Sequence, residues 1–292
     1  MTRARWTAVG VALALACGNA AGGVLAAHGA RFDSTTPEAI DTGFYSPSLE
    51  ATLHALVVLP PGYDTSGLRY PVVYFLHGLP AGPTAYRSVA WVASSLQKTG
   101  RQAIVVIPQG TRVQNGDPEY HDWGPGQDWE TALAVELPRW VDATYRTIAS
   151  RSGRAIIGLS AGGYGAAILD AHHPGEYSVM ESWSGYFRPT DPTGEKTLDV
   201  GSDADNAYAS VFDQIPQLKK AFAKNPTFYA FYVGSSDPNF VPDNVQLDKG
   251  LSAAGIYHVF DVYPGGHDNA LWQGHAVRWL GIALNHLAQP SP

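Results

Sequence analysis

The chain has 292 residues, 45% of them hydrophobic and 15% charged, and a formal net charge of -7. That hydrophobic share is enough to bury the core of one α/β domain of about 250 residues. The acidity is dispersed and no basic stripe accompanies it, which excludes nucleic acid and anionic membrane surfaces as expected partners, and a single cysteine, Cys17, excludes a disulfide framework.

In chain order, Arg3 and Arg5 precede an apolar run over 6–17, and small residues follow to about Ala30. This reads as a secretion signal over 1–30 that is removed, with no stable membrane insertion of what remains. Gly18, Asn19, Gly22 and Gly23 interrupt the apolar run, which argues against a spanning anchor. Cys17 offers a weak lipidation site, and without the leader the protein has no thiol. Residues 31–292 read as a single domain.

From about residue 50, apolar β-branched runs alternate with helical patterns, the signature of βαβ layering. Strands are expected over 53–59, 72–76, 103–107, 155–158, 177–183, 228–233 and 258–263, and helices over 85–98, 128–145, 161–172, 245–254 and 269–288. Two segments, 110–127 and 187–226, read as irregular, the second with only short helical patterns. Both are expected to overhang the sheet edge where a ligand binds.

The apolar run Ala155, Ile156, Ile157 leads into Gly158, Leu159, Ser160, Ala161, Gly162. A serine hydroxyl is a poor nucleophile, and lifting it onto a sharp strand-to-helix turn lets a base reach it. Glycines flank such a turn because side chains there would strike the neighbouring strand and helix. The pentapeptide alone arises by chance about 0.1–0.2 times in a chain this glycine-rich, so its partners decide the reading. His267 lies in a glycine-rich loop after the last strand and is the candidate base, although an exposed loop histidine is the ordinary alternative. Asp237, just past the strand 228–233, is the candidate acid. Asp243 is its rival, farther from the strand end, and Asp237 also fits a plain turn before Pro238. The chain order Ser, Asp, His matches that of a strand-end elbow triad.

A tetrahedral oxyanion needs two N–H donors. Ala161, next after the serine, supplies one, and the loop His77, Gly78, Leu79, Pro80 supplies the other, best from Leu79 because proline has no N–H. His77 reads as a packing and hydrogen-bonding residue rather than a second base. Among aromatics near the strand ends (Tyr86, Trp91, Trp123, Trp183, Trp272), Trp123 and Trp183 are the candidates for lining a substrate pocket. No metal site is expected: His172 and His173 are adjacent, and 120–122 lacks a second ligand set.

Taken with 70–79, 128–131 and 136–138, 157–162, 234–237 and 265–267, these motifs make the chain over about 45–285 resemble the esterase D-like branch of the α/β-hydrolases, which includes mycolyltransferases, feruloyl esterases and S-formylglutathione hydrolases. The resemblance implies an α/β-hydrolase fold, a mostly parallel central sheet flanked by helices with no large separate cap domain. It implies a triad of Ser160, Asp237 and His267, oxyanion donors at Leu79 and Ala161, and activity without a cofactor. The helix 128–145 looks most like the mycolyltransferases. Their oxyanion loop, however, carries an aspartate before its glycine and an arginine after its leucine, both engaged with a sugar acceptor, where this chain has His77 and Pro80. Hydrolysis is therefore expected over transfer to a sugar, and the leader argues against the intracellular formylglutathione branch. The expectation is a secreted serine carboxylesterase acting on a small-molecule, cell-wall or plant-derived ester. An acyltransferase and a non-catalytic binding protein on the same scaffold are the alternatives.

Overall fold

The apolar runs form the strands of one eight-stranded sheet in a computed structural model that describes residues 38–191 and 196–292. The strands are β1 (Glu38–Ser46), β2 (Ala51–Leu59), β3 (Val72–Leu76), β4 (Ile104–Pro108), β5 (Arg154–Leu159), β6 (Val179–Trp183), β7 (Phe228–Gly234) and β8 (Val259–Tyr263). Their spatial order is β1-β2-β4-β3-β5-β6-β7-β8. β2 is antiparallel to both of its neighbours, and all other pairs are parallel. Strands β3 to β6 are buried on both faces, which is why they read as unbroken apolar runs.

The helices are α1 (Tyr63–Ser66), α2 (Trp91–Gln97), α3 (Trp129–Thr131), α4 (Leu137–Thr144), α5 (Ala161–His172), α6 (Asp203–Ala209), α7 (Val211–Phe222), α8 (Val241–Ala254) and α9 (Asn269–Asn285), and a π turn, Ala132–Glu136, joins α3 to α4. Side chains alternate along a strand, so β3 sends Val72, Tyr74 and Leu76 to the core under α4, α5, α7 and α8, and Val73 and Phe75 to the core under α2 and α9. Helix α5 is buried on nearly every side. Its glycines and alanines allow that: a Cβ on Gly163 would stand 2.6 Å from Ser182 Oγ. The expected α/β-hydrolase architecture is thus the observed one, and among the described residues no separate cap domain stands over the strand ends.

Besides the short α1 and the division of the expected helix 128–145 into α3, the π turn and α4, four elements differ from the sequence expectation. Strand β1 was not anticipated: it pairs on one side only and is partly exposed, so its residues form no apolar run. The segment 187–226 holds a full 12-residue helix, α7, despite Pro216, because Ser210 caps it and Val211 and Leu218 are buried beneath it. Helix α8 starts four residues before the expected 245, with proline in its first turn, where the missing N–H costs nothing. The expected helix 85–98 is a 3-10 turn, Ala85–Val89, followed by α2. The leader expected over 1–30 lies outside the described residues. No described helix is long and apolar enough to cross a membrane.

Candidate active site

Parallel strands all end on the same edge, so the loops after β3, β5, β7 and β8 converge. Ser160 occupies the one-residue turn between β5 and α5 with φ 55° and ψ −124°, a conformation costly for any residue with a Cβ. It is held there by its own N–H, which donates to the Trp183 carbonyl at 2.9 Å, and by the Gly163 N–H donating to its carbonyl at 2.8 Å. A Cβ on Gly158 would lie 2.0 Å from the Gly162 carbonyl oxygen, and one on Gly162 would lie 2.1 Å from that of Leu76. Both flanking glycines are required by backbone, as the elbow motif implies.

The loops after β7 and β8 are stitched together: Ser235 N–H donates to the Tyr263 carbonyl at 2.7 Å and Ser236 N–H to that of Gly265 at 2.8 Å. This brings Asp237 Oδ2 to 2.7 Å from His267 Nδ1, while His267 Nε2 lies 2.8 Å from Ser160 Oγ. A carboxylate can only accept, so Nδ1–H donates its hydrogen bond to Asp237, and in the neutral ring Nε2 is the bare nitrogen that accepts from the serine hydroxyl. Asp237 is 3% exposed, and its other oxygen accepts the Phe240 N–H at 3.2 Å. The imidazole is fixed edge-on between Phe240 and Trp272, at centroid distances of 4.8 and 5.0 Å. Phe240 escaped the sequence reading because nothing in its local pattern marks it.

The loop after β3 packs directly on the elbow. A Cβ on Gly78 would stand 2.8 Å from Ser160 Cβ. Leu79 follows Gly78 in this loop and Ala161 follows the serine at the start of α5, and neither N–H donates to an acceptor among the described residues.

Other candidates fall elsewhere. Trp183 is fully buried and its indole N–H donates to Glu181 at 3.0 Å, so it belongs to the core under α9 and does not line a pocket. Trp123 is 42% exposed and walls a cleft of about 590 Å³ with Arg112, Asp117 and Trp129, a wall that Ser160, Asp237 and His267 do not share. Asp243 faces Arg188 and the Phe187 backbone. Asp268 caps α9 by accepting the Leu271 N–H. His172 Nδ1 and His173 Nε2 clasp the two oxygens of Glu130 at 3.0 and 2.9 Å, with the Tyr208 hydroxyl donating to the same carboxylate. Burial would raise the Glu130 pKa, but these hydrogen bonds outweigh it and hold the carboxyl far below the usual range. Among the described residues no group of three or more His, Cys, Asp or Glu side chains could hold a metal ion.

Comparisons with known proteins agree with this architecture. A family model described as "Putative esterase" matches residues 46–278. An esterase of Mycobacterium tuberculosis is 29% identical over 240 residues, covering 72% of this chain and 51% of that protein. The diacylglycerol acyltransferase/mycolyltransferase Ag85B of Mycolicibacterium smegmatis is 32% identical over 126 residues, 38% of each chain. The chain thus spans at most about half the length of these relatives. Among solved structures, a ferulic acid esterase superposes with a TM-score of 0.69 at 22% identity, covering 87% of this chain and 100% of its own.

Proposed function

Because the chain belongs to the putative esterase family, we propose that it is a serine carboxylesterase working through Ser160, His267 and Asp237. The observation that supports this most is the continuous hydrogen-bond relay from Ser160 Oγ through the imidazole to a buried carboxylate, with links of 2.8 and 2.7 Å. In this reading His267 Nε2 takes the serine proton as Oγ attacks the ester carbonyl. Asp237 holds the required tautomer and stabilises the imidazolium that forms. The Leu79 and Ala161 N–H groups receive the charge of the tetrahedral oxyanion. Collapse expels the alcohol, protonated by His267, and water activated by the same nitrogen then releases the acid. The chemistry needs no cofactor.

The substrate is an ester of a small molecule or of cell-wall or plant material, and the leader pattern at 1–30 supports export. Acyl transfer is the second reading, favoured by the similarity to the acyltransferase/mycolyltransferase. It shares the acyl-enzyme and differs in the nucleophile that resolves it, so product analysis with sugars or alcohols present separates the two. For the main reading the test is Ser160→Ala assayed on a panel of nitrophenyl esters. Turnover should fall by about 10⁴–10⁶ and fluorophosphonate labelling should vanish. Hydrolysis at the wild-type rate would refute the assignment.

A further inference from the structure

His77 is 3% exposed, stands one residue before the glycine that touches Ser160, and is not one of the three relay residues. Its ring nevertheless has two defined partners. The Gly110 N–H donates to Nε2 at 3.1 Å, and Nδ1 lies 2.9 Å from the Gly78 carbonyl oxygen. An N–H can donate only to a bare nitrogen and a carbonyl can accept only from a protonated one, so the two contacts together select a single tautomer, neutral with the proton on Nδ1. Burial also drives the ring toward its neutral form by lowering its pKa. The backbone is held as well: the Tyr120 hydroxyl donates to the His77 carbonyl at 3.1 Å, and the Tyr120 ring is wedged against Gly165 of α5.

The Gly78 carbonyl and the Leu79 N–H belong to one planar peptide unit and point in opposite directions. A hydrogen bond that fixes the carbonyl therefore fixes the direction of the N–H. Gly78 has no side chain to set that direction itself, and glycine offers the peptide wide rotational freedom. We propose that His77 is the positioning residue of the oxyanion hole: its Nδ1–H holds the Gly78 carbonyl and thereby aims the Leu79 N–H at the oxygen that becomes negative when Ser160 attacks. The Gly110 amide is the anchor that keeps the ring in the tautomer this requires. The inference rests on the reading of Ser160 as nucleophile and adds to it a preorganised donor, which is worth most where the charge develops in the transition state.

Three substitutions separate positioning from packing. The amide nitrogen of asparagine overlays His77 Nδ1, so His77→Asn keeps a donor for the Gly78 carbonyl. His77→Gln places its amide near Nε2 instead, keeping the Gly110 contact and losing the other, and His77→Ala loses both. With nitrophenyl acetate, Gln and Ala should lower kcat by about 10- to 100-fold with KM within about twofold, and Asn should recover kcat to within about threefold of wild type. The inhibition constant of a trifluoromethyl ketone, whose adduct carries an oxyanion, should rise in parallel with the loss of kcat/KM across the three. Melting temperatures identify any variant lost to misfolding, and the contrast between Asn and Gln survives if Ala does not fold. Wild-type kcat in the Gln variant, or equal impairment of Asn and Gln, overturns the positioning role. Because Ser160→Ala is scored separately, a dead serine variant beside a fully active Gln variant rejects this inference alone, whereas an active serine variant rejects the reading beneath it.

Discussion

Gly162→Ala is the sharpest test of how the elbow is built. The added Cβ would stand 2.1 Å from the Leu76 carbonyl oxygen, 2.6 Å from its carbon and 2.7 Å from the His77 carbonyl oxygen. Ordinary contact begins near 3.4 Å, so the two backbones must separate by about 1.3 Å. No flexible side chain can yield, because all three atoms are main chain at the end of β3, which is itself paired to β5 in register. In an open helix the change from glycine to alanine would gain about 1 kcal/mol. Here the overlap outweighs that gain, and a net loss of about 1–3 kcal/mol follows, which in a domain of this size lowers Tm by roughly 3–10 °C. The displaced atoms also carry the Gly78–Leu79 peptide, and a shift of about 1 Å in a reacting geometry costs about 10²-fold in rate. Calorimetry and kcat on nitrophenyl acetate check both. Gly175→Ala, where a Cβ meets nothing within 4 Å, is the control expected to leave both unchanged. Wild-type kcat and Tm in Gly162→Ala would refute the argument.

Asp237→Asn should lower kcat by about 10⁴-fold, through loss of the tautomer that leaves Nε2 bare. Asp243→Asn should stay within a few-fold of wild type, since that carboxyl faces Arg188; steady-state kinetics on the pair decides between them, and the reverse ranking would move the acid to Asp243. Glu130→Gln should destabilise the fold at pH 7 by about 1–3 kcal/mol, because it disrupts the hydrogen bonds that His172, His173 and Tyr208 make with this buried carboxylate. A carboxyl held below its unfolded value of about 4.3 contributes stability above that value and loses it as the pH falls through the folded one. Urea melts should therefore show the gap between wild type and variant narrowing from pH 5 toward pH 2.5, and a gap independent of pH would contradict the clasp.

Much of this is legible in the sequence, for physical reasons that also mark where legibility stops. Strands buried on both faces announce themselves as apolar runs, so β3 to β7 were found within a few residues. The same property hides the direction of their side chains. With no polar face to set the phase, the sequence could not tell which layer the side of β6 carrying Glu181 and Trp183 meets, and it is the one under α9. Strand β1 was lost for the opposite reason, being an edge with few buried positions. Ser160 and Gly158 were recoverable because the strain of the turn is local. The contacts of Phe240 and Trp272 with His267, and of Gly110 with His77, span 27, 5 and 33 residues of chain, and only the Trp272 contact lies within the reach of local pattern.

The long loop 110–127 carries the next step of the argument. It supplies the Gly110 amide that fixes the His77 tautomer and the Tyr120 hydroxyl that holds the His77 carbonyl, and it also presents Trp123, Arg112 and Asp117 to the cleft of about 590 Å³. Glu119 and Tyr120, at its centre, both adopt positive φ, and Glu119 is fully buried with Tyr186 and Thr190 donating to it. Strained backbone of this kind persists only where its surroundings over-determine it. The segment that walls the cleft is thus the segment that braces the loop on which Leu79 sits. A change in this wall reaches the proposed oxyanion donor through two hydrogen bonds, so substitutions that shift the backbone of this loop should lower kcat.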